Sequence, residues 1–138
     1  MPNRIAAAAT AALAILVLGA CGSQTAISST ASVTVDGKDA RMQAVKCSQI
    51  DWYRTIDIGG DLAGVTAVVD QHAQPLTAIS VRIKNVGGFT GAYSQGGNGD
   101  ANMSFSGDKY TISGSANGFK TDKPNEPASA PFKISATC

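Results

Sequence analysis

The chain is poor in the residues that most site chemistry needs: it has one histidine, His72, and one glutamate, Glu126. Metal centres draw on several His, Cys, Asp or Glu donors at set spacings, and neither Cys-x-x-Cys nor His-x-x-x-His occurs. His72 lies in a polar turn between two apolar segments and reads as a solvated turn residue. The Gly-x-Ser-x-Gly elbow of many hydrolases is absent too, because Tyr93-Ser94-Gln95-Gly96 lacks the first glycine. Among the aspartates, Asp36, Asp70, Asp100 and Asp108 sit where that residue favours turns, and no spacing singles out the facing pair that a glycosidase requires. Charge is equally uninformative as a lure for partners. Eleven Lys+Arg against ten Asp+Glu leave a formal net charge of +1, so no basic face recruits nucleic acid. These absences predict a protein that is not an enzyme and needs no cofactor or metal.

What the chain does have begins at its N-terminus. Asn3 and Arg4 form a small positive region, Ile5 to Leu18 is an apolar run broken only by Thr10, and Leu18-Gly19-Ala20 precedes Cys21. The run falls short of the roughly 20 apolar residues that span a bilayer. It looks like a bacterial lipobox, in which the cysteine sulfur receives a diacylglyceryl group, cleavage follows before the cysteine, and the new amine is often acylated. The alternative is an ordinary secretory signal with an incidental cysteine. Residues 1–20 are thus expected to be a lipoprotein signal peptide, and Cys21 the lipidation site that holds the protein on the extracytoplasmic face of the cell membrane. Two or more acyl chains anchor stably where one is marginal.

Removal of residues 1–20 leaves 138 − 20 = 118 residues, enough for one domain with a single core. Gly22 to Ser32 holds Ser, Thr and Ala with no charge and no periodicity, so 21–32 reads as a lipidated end and flexible tether. Its hydroxyls are acceptors for O-linked sugars, although an unmodified spacer is the simpler reading. With Cys21 lipidated, Cys47 and Cys138 remain as an even pair in an exported chain, where oxidation is permitted. A Cys47–Cys138 disulfide is the expectation, and two free buried thiols are the alternative.

From 33 to 138 the pattern is one of short strands and turns, with no stretch periodic enough for a helix. Val33-Thr34-Val35 runs into the hairpin signal Asp36-Gly37 and returns as about Arg41 to Cys47. Trp52, Arg54, Ile56 and Ile58 alternate with Tyr53, Thr55 and Asp57, and Val65 to Val69 follows. Ile79, Val81 and Ile83 share one face of the next strand. Met103 and Phe105 pass through Ser106-Gly107-Asp108 to Tyr110 and Ile112 as a second hairpin. Phe132, Ile134, Ala136 and Cys138 share the core side of the last strand. About seven or eight such strands argue for an all-β domain, an antiparallel sandwich or small barrel. The sandwich is favoured, because a bridge from the second strand to the last could tie two sheets.

Two segments resist a strand reading. Val86 to Asp100 is rich in glycine and Phe119 to Pro131 in proline, so both are expected to be long surface loops. Aromatic residues at strand positions are most simply core. Phe89 and Tyr93 flank glycines in the first of the two loops and are therefore candidate contact residues, with packing as core or loop anchors the simpler reading.

Taken in order, several segments resemble the LpqH-like mycobacterial lipoprotein antigens. They are Val33-Thr34-Val35-Asp36-Gly37-Lys38, Cys47, Ile58-Gly59-Gly60 and Gly64-Val65-Thr66-Ala67-Val68, then Tyr110-Thr111-Ile112-Ser113-Gly114 with Ala116 and Gly118, Pro131-Phe132-Lys133-Ile134, and Thr137-Cys138. The resemblance implies a lipid-anchored cell-envelope protein, exposed or shed, that host innate receptors recognise through the acylated cysteine and that serves as an adhesin. It implies no catalytic residues. A monomer is expected. The rival reading is an envelope carrier of a lipid or small hydrophobic ligand, which would need a hollow between the sheets.

Overall fold

The computed structural model describes residues 30–138 except Gln43 and Asn98. Cys21, the signal segment and most of the tether therefore lie outside the described residues. Ten strands follow one another: β1 (Ala31–Val35), β2 (Lys38–Met42), β3 (Val45–Ile50), β4 (Tyr53–Gly59), β5 (Gly64–Asp70), β6 (Thr77–Val86), β7 (Phe89–Ser94), β8 (Asp100–Ser106), β9 (Lys109–Lys120) and β10 (Lys123–Thr137). All pairings are antiparallel. The sheet runs β2-β1-β10-β9-β7-β6-β5-β4-β3, and β8 also pairs with β9. The all-β expectation holds, with more strands than the sequence suggested.

Hairpin chemistry explains much of this order. Asp36 and Gly37 both take positive φ (51° and 76°), the conformation of the tight turn whose twist matches its flanking strands. Val33 and Val35 face inward at 0% exposure on one side of that turn. The return strand is shorter than expected, and the chain then starts a separate strand, β3, that pairs with β4 on the far edge of the sheet. The second anticipated hairpin is present as β8–β9, with Phe105 opposite Tyr110 and Gly107 at φ 66°.

A single sheet covers its own apolar face by curling, and β9 is where it turns. The first part of β9, Lys109 to Ser115, pairs with β8, and the last part, Asn117 to Lys120, pairs with β7 on the same edge. Gly91 of β7 lies opposite Gly118 of β9. A Cβ on Gly118 would sit on the Thr90 carbonyl oxygen and within 2.5 Å of the Gly91 Cα, so the two backbones meet closer than any side chain allows. The fold between the layers thus depends on a glycine pair.

The two segments expected to be loops are largely strand. Residues 86–100 contain β7, whose Phe89 is fully buried and whose Tyr93 is 8% exposed. Among the glycines that suggested a loop, Gly91 is the one inside β7, and it lets this strand approach β9. The proline-rich segment 119–131 is the end of β9 and most of β10. Its prolines fit because the β9–β10 register breaks between Lys123 and Ala128, which spans Pro124 and Pro127. Pro131 accepts a hydrogen bond from Asp36 N at 2.9 Å through its carbonyl. Since N and C=O of one strand residue point to the same side, its missing N–H faces beyond the end of β1 and costs the β9 ladder nothing.

One core unites both layers. Val33, Val35, Ile56, Val69, Val81, Ile83, Phe89, Ile112 and Ile134 are at 0–1% exposure within one cluster, and burying each such side chain stabilises the fold by roughly 1.5–3 kcal/mol. Ile79 departs from the expected inward face. The β5–β6 register shifts so that Val68 faces Ser80 and Val69 faces Ala78, which makes Ile79 the extra residue of a bulge and leaves it half-buried.

Gly118→Ala should destabilise the domain by about 1–3 kcal/mol in denaturant unfolding, because the added methyl has backbone on both sides. Gly60→Ala, with open space at its Cβ position, should stay within about 0.5 kcal/mol of wild type. Equal losses in the two variants would refute the role given to the glycine pair. Replacing Cys47 and Cys138 together by alanine should cost about 2–5 kcal/mol in the same assay. An unchanged denaturation midpoint on reduction of the wild type would count against that bridge.

Candidate functional site

One end of the domain gathers the features that the rest of the surface lacks. Cys47 on β3 and Cys138 beyond β10 form a disulfide with a Cα–Cα distance of 5.9 Å, across a sequence separation of 91. Both cysteines are half-buried against the core cluster. Closing so long a loop removes unfolded-state entropy worth roughly 4–5 kcal/mol in the chain-entropy model. The bridge joins edge strand β3 to the end of β10, the third strand from the opposite edge of the sheet, so it ties the two ends of the strand order together. This is the expected pairing, although it starts from the third strand.

Around the bridge three turns converge. The β3–β4 turn is Asp51-Trp52, with Asp51 at φ 53°. The β5–β6 turn is held by Asp70, whose Oδ1 accepts from His72 N at 2.9 Å and Ala73 N at 3.3 Å. The β8–β9 turn is fixed to the C-terminus by a bond from Cys138 N to the Asp108 carbonyl at 3.2 Å. Cross-links tie the turns to one another. Gln71 donates from its backbone N to the Trp52 carbonyl at 2.8 Å and from Nε2 to the Tyr110 hydroxyl at 3.0 Å. The Trp52 and His72 rings lie 4.9 Å apart, as do Phe105 and Tyr110 at 4.5 Å. Arg54 donates through Nη2 to Gln49 Oε1 at 2.8 Å and borders a shallow cleft with Phe105, Tyr110 and Cys138.

The aromatic assignments from sequence are thereby reversed in part. Phe89 and Tyr93, the candidate contact residues, are core, as their packing reading held. Trp52 and Phe105, assigned to strand interiors, are 59% and 44% exposed, and Tyr53 and Ile50 beside them are 46% and 75% exposed. The period-two pattern misled at Trp52 because the strand starts one residue later, and at Phe105 because β8 buries neither face fully. A signal was nevertheless present: Asp51-Trp52 forms a two-residue hairpin tip, with the positive φ that hairpin turns favour carried by Asp51, which leaves Trp52 at the exposed tip.

His72 is exposed in its turn, and among the described residues no three His, Cys, Asp or Glu side chains gather as a metal site. Of Ile79, Val81, Ile83, Phe105 and Phe132, the positions that would fill the interior or line a ligand hollow, Val81, Ile83 and Phe132 are packed in the core at 0–3% exposure, whereas Ile79 is half-buried and Phe105 is exposed. Among the described residues, several clefts lie on the surface. One is bordered by Thr30, Arg41, Lys109 and Thr137, where the chain enters β1.

The family model described as the Mycobacterium 19 kDa lipoprotein antigen matches residues 24–138. A putative lipoprotein of Mycobacterium indicus pranii is 59% identical over the full length of both chains. The probable lipoprotein LppE of Mycobacterium tuberculosis is 37% identical, again over the full length of both. Lipoprotein LpqH of Mycobacterium avium is 36% identical over 77% of this chain and 66% of its own. With that model covering the whole of the disulfide-closed, curled β-sheet, the chain belongs to the Mycobacterium 19 kDa lipoprotein antigen family.

Proposed function

We propose that the mature protein is a lipid-anchored, non-enzymatic antigen of the cell envelope that acts by display. Cys21 carries the acyl chains, the segment up to Thr30 spaces the domain from the membrane, and the β-domain is offered outward on the extracytoplasmic face, exposed or shed. The observation that carries this reading is the Leu18-Gly19-Ala20-Cys21 sequence ahead of a domain of a lipoprotein antigen family. Diacylation gives the stable membrane attachment that one chain would not. The same acylated cysteine is the feature that host innate receptors would recognise, while the folded domain supplies whatever adhesive contact the protein makes. The packing of Val81, Ile83 and Phe132 in the core favours this reading over an envelope carrier.

The test is expression of wild type and Cys21→Ala in a mycobacterial host with labelled palmitate. Wild type should take the label and partition with membranes. The variant should be unlabelled and leave the membrane fraction, and it should fail to stimulate cells that carry lipopeptide receptors. A fully membrane-bound Cys21→Ala protein would refute the anchor, and equal stimulation by both forms would refute recognition through the acyl group.

A further inference from the structure

Six large hydrophobic side chains are exposed on the domain: Ile50, Trp52, Tyr53, Leu62, Phe105 and Phe119. Four of them, Ile50, Trp52, Tyr53 and Phe105, share the end that the disulfide closes, whereas Leu62 lies in the β4–β5 turn and Phe119 near the end of β9, both away from the disulfide. The chain leaves the fold at the same end. Ala31 pairs with Ala136, two residues before Cys138, and Cys138 is bridged to Cys47, three residues before Ile50. We propose that this end of the domain rests on the lipid headgroup interface, with Trp52, Tyr53, Ile50 and Phe105 as the contact residues. The proposal rests on anchoring at Cys21.

Reach argues for lipid as the occupant. Nine peptide steps separate Cys21 from Thr30, at most about 30 Å when extended and about 16 Å on average for a flexible linker. A short linker of that kind keeps the end facing the membrane at an effective concentration in the millimolar range, so even a weak contact is populated. The side-chain chemistry agrees. Trp and Tyr concentrate at membrane–water interfaces, where their rings meet the hydrocarbon boundary and their polar atoms stay wet. The positive φ of the turn is carried by Asp51, so the turn itself does not require an aromatic at Trp52 or Tyr53, although the Trp52 ring also packs on His72. Arg54 and Lys109 border the patch and Asp51 and Asp108 lie in its turns, so the contact is apolar in origin, and a change in vesicle charge should alter it little.

Trp52 is the one tryptophan of the chain, and it reports the contact directly. The acylated mature protein is reconstituted into phosphatidylcholine vesicles, with and without phosphatidylglycerol, and flotation is checked first. Trp52 emission is then followed with lipids brominated near the headgroup end of the acyl chain and with aqueous iodide. The expected result is a blue shift, loss of about half the emission to the brominated lipid, and shielding from iodide, as befits a ring at the interface. Phe105→Ser and Ile50→Ser should weaken the bromine quenching, and Leu62→Ser should not. Floating protein whose Trp52 meets iodide as freely as in the soluble Cys21→Ser form would overturn the contact and leave the anchor standing. Shielding from iodide without bromine quenching would mean that a second copy or another protein covers the face, which also overturns it. Protein that fails to float would refute the anchor and this proposal with it.

Discussion

An antiparallel sheet with one wet face has to hide its other face, and with no helix among the described residues to cover it, this sheet covers itself. Every other feature follows from that constraint. The sheet must bend sharply somewhere, and a sharp bend brings two backbones together where side chains would clash. Gly91 and Gly118 stand opposite one another at that place. A second close approach is made by Gly87, whose Cβ position lies 2.7 Å from the Val35 carbonyl oxygen, where the β6–β7 turn meets β1. The first contact brings the paired strands β7 and β9 together and the second seats the β6–β7 turn against β1, so these glycines serve close approach, while Gly37 and Gly107 serve turns.

Curling leaves an unfinished seam, since the two strands at the ends of the order, β2 and β3, are consecutive in the chain yet do not pair with each other. The Cys47–Cys138 bridge lies at that seam and ties edge strand β3 to β10. A small all-β domain with few aromatics buries modest apolar area for its length, and covalent closure supplements a core of that size. The polar links from Gln71 to Trp52 and Tyr110 lie next to the bridge. Each contributes about 1 kcal/mol, but together they hold three turns in one arrangement.

What could be read from sequence follows a physical division. Strands with one buried face were legible wherever the period of two was uninterrupted, as at Val33 to Val35 and Phe132 to Ala136, because alternation is the direct imprint of a half-buried sheet. Hairpins were legible where turn chemistry is local, at Asp36-Gly37. The disulfide followed from cysteine count and compartment. What was not legible depended on partners distant in sequence. Glycine in β7 means a loop by local rules and a close crossing once β9 is in place. Proline in β10 means a break by local rules and costs nothing where the register is already interrupted. Ile79 fell out of alternation at a bulge that no nearby residue announces. The fold class was therefore in the sequence, while the candidate site, built from three separate turns and the C-terminus, existed only in the folded chain.

The aromatic residues show how the two demands on this protein divide. Phe89, Tyr93, Tyr110 and Phe132 are buried and bind the layers together; Trp52, Tyr53 and Phe105 are exposed and add little to the fold. A protein held by lipid has no need of a deep pocket to stay in place, and its domain needs only an orientation. On the proposed anchoring, acyl chains would supply affinity without direction. With the proposed contact, a small apolar end beside the linker would supply direction without much affinity, because the contact would be made at high effective concentration. If the apolar end turns toward the bilayer, the outward surface becomes the opposite end, where the Asp36-Gly37 and Gly87-Gly88 turns lie beside Lys120 and Asp122. That charged, turn-rich end would then be the face that a lipid-anchored antigen presents.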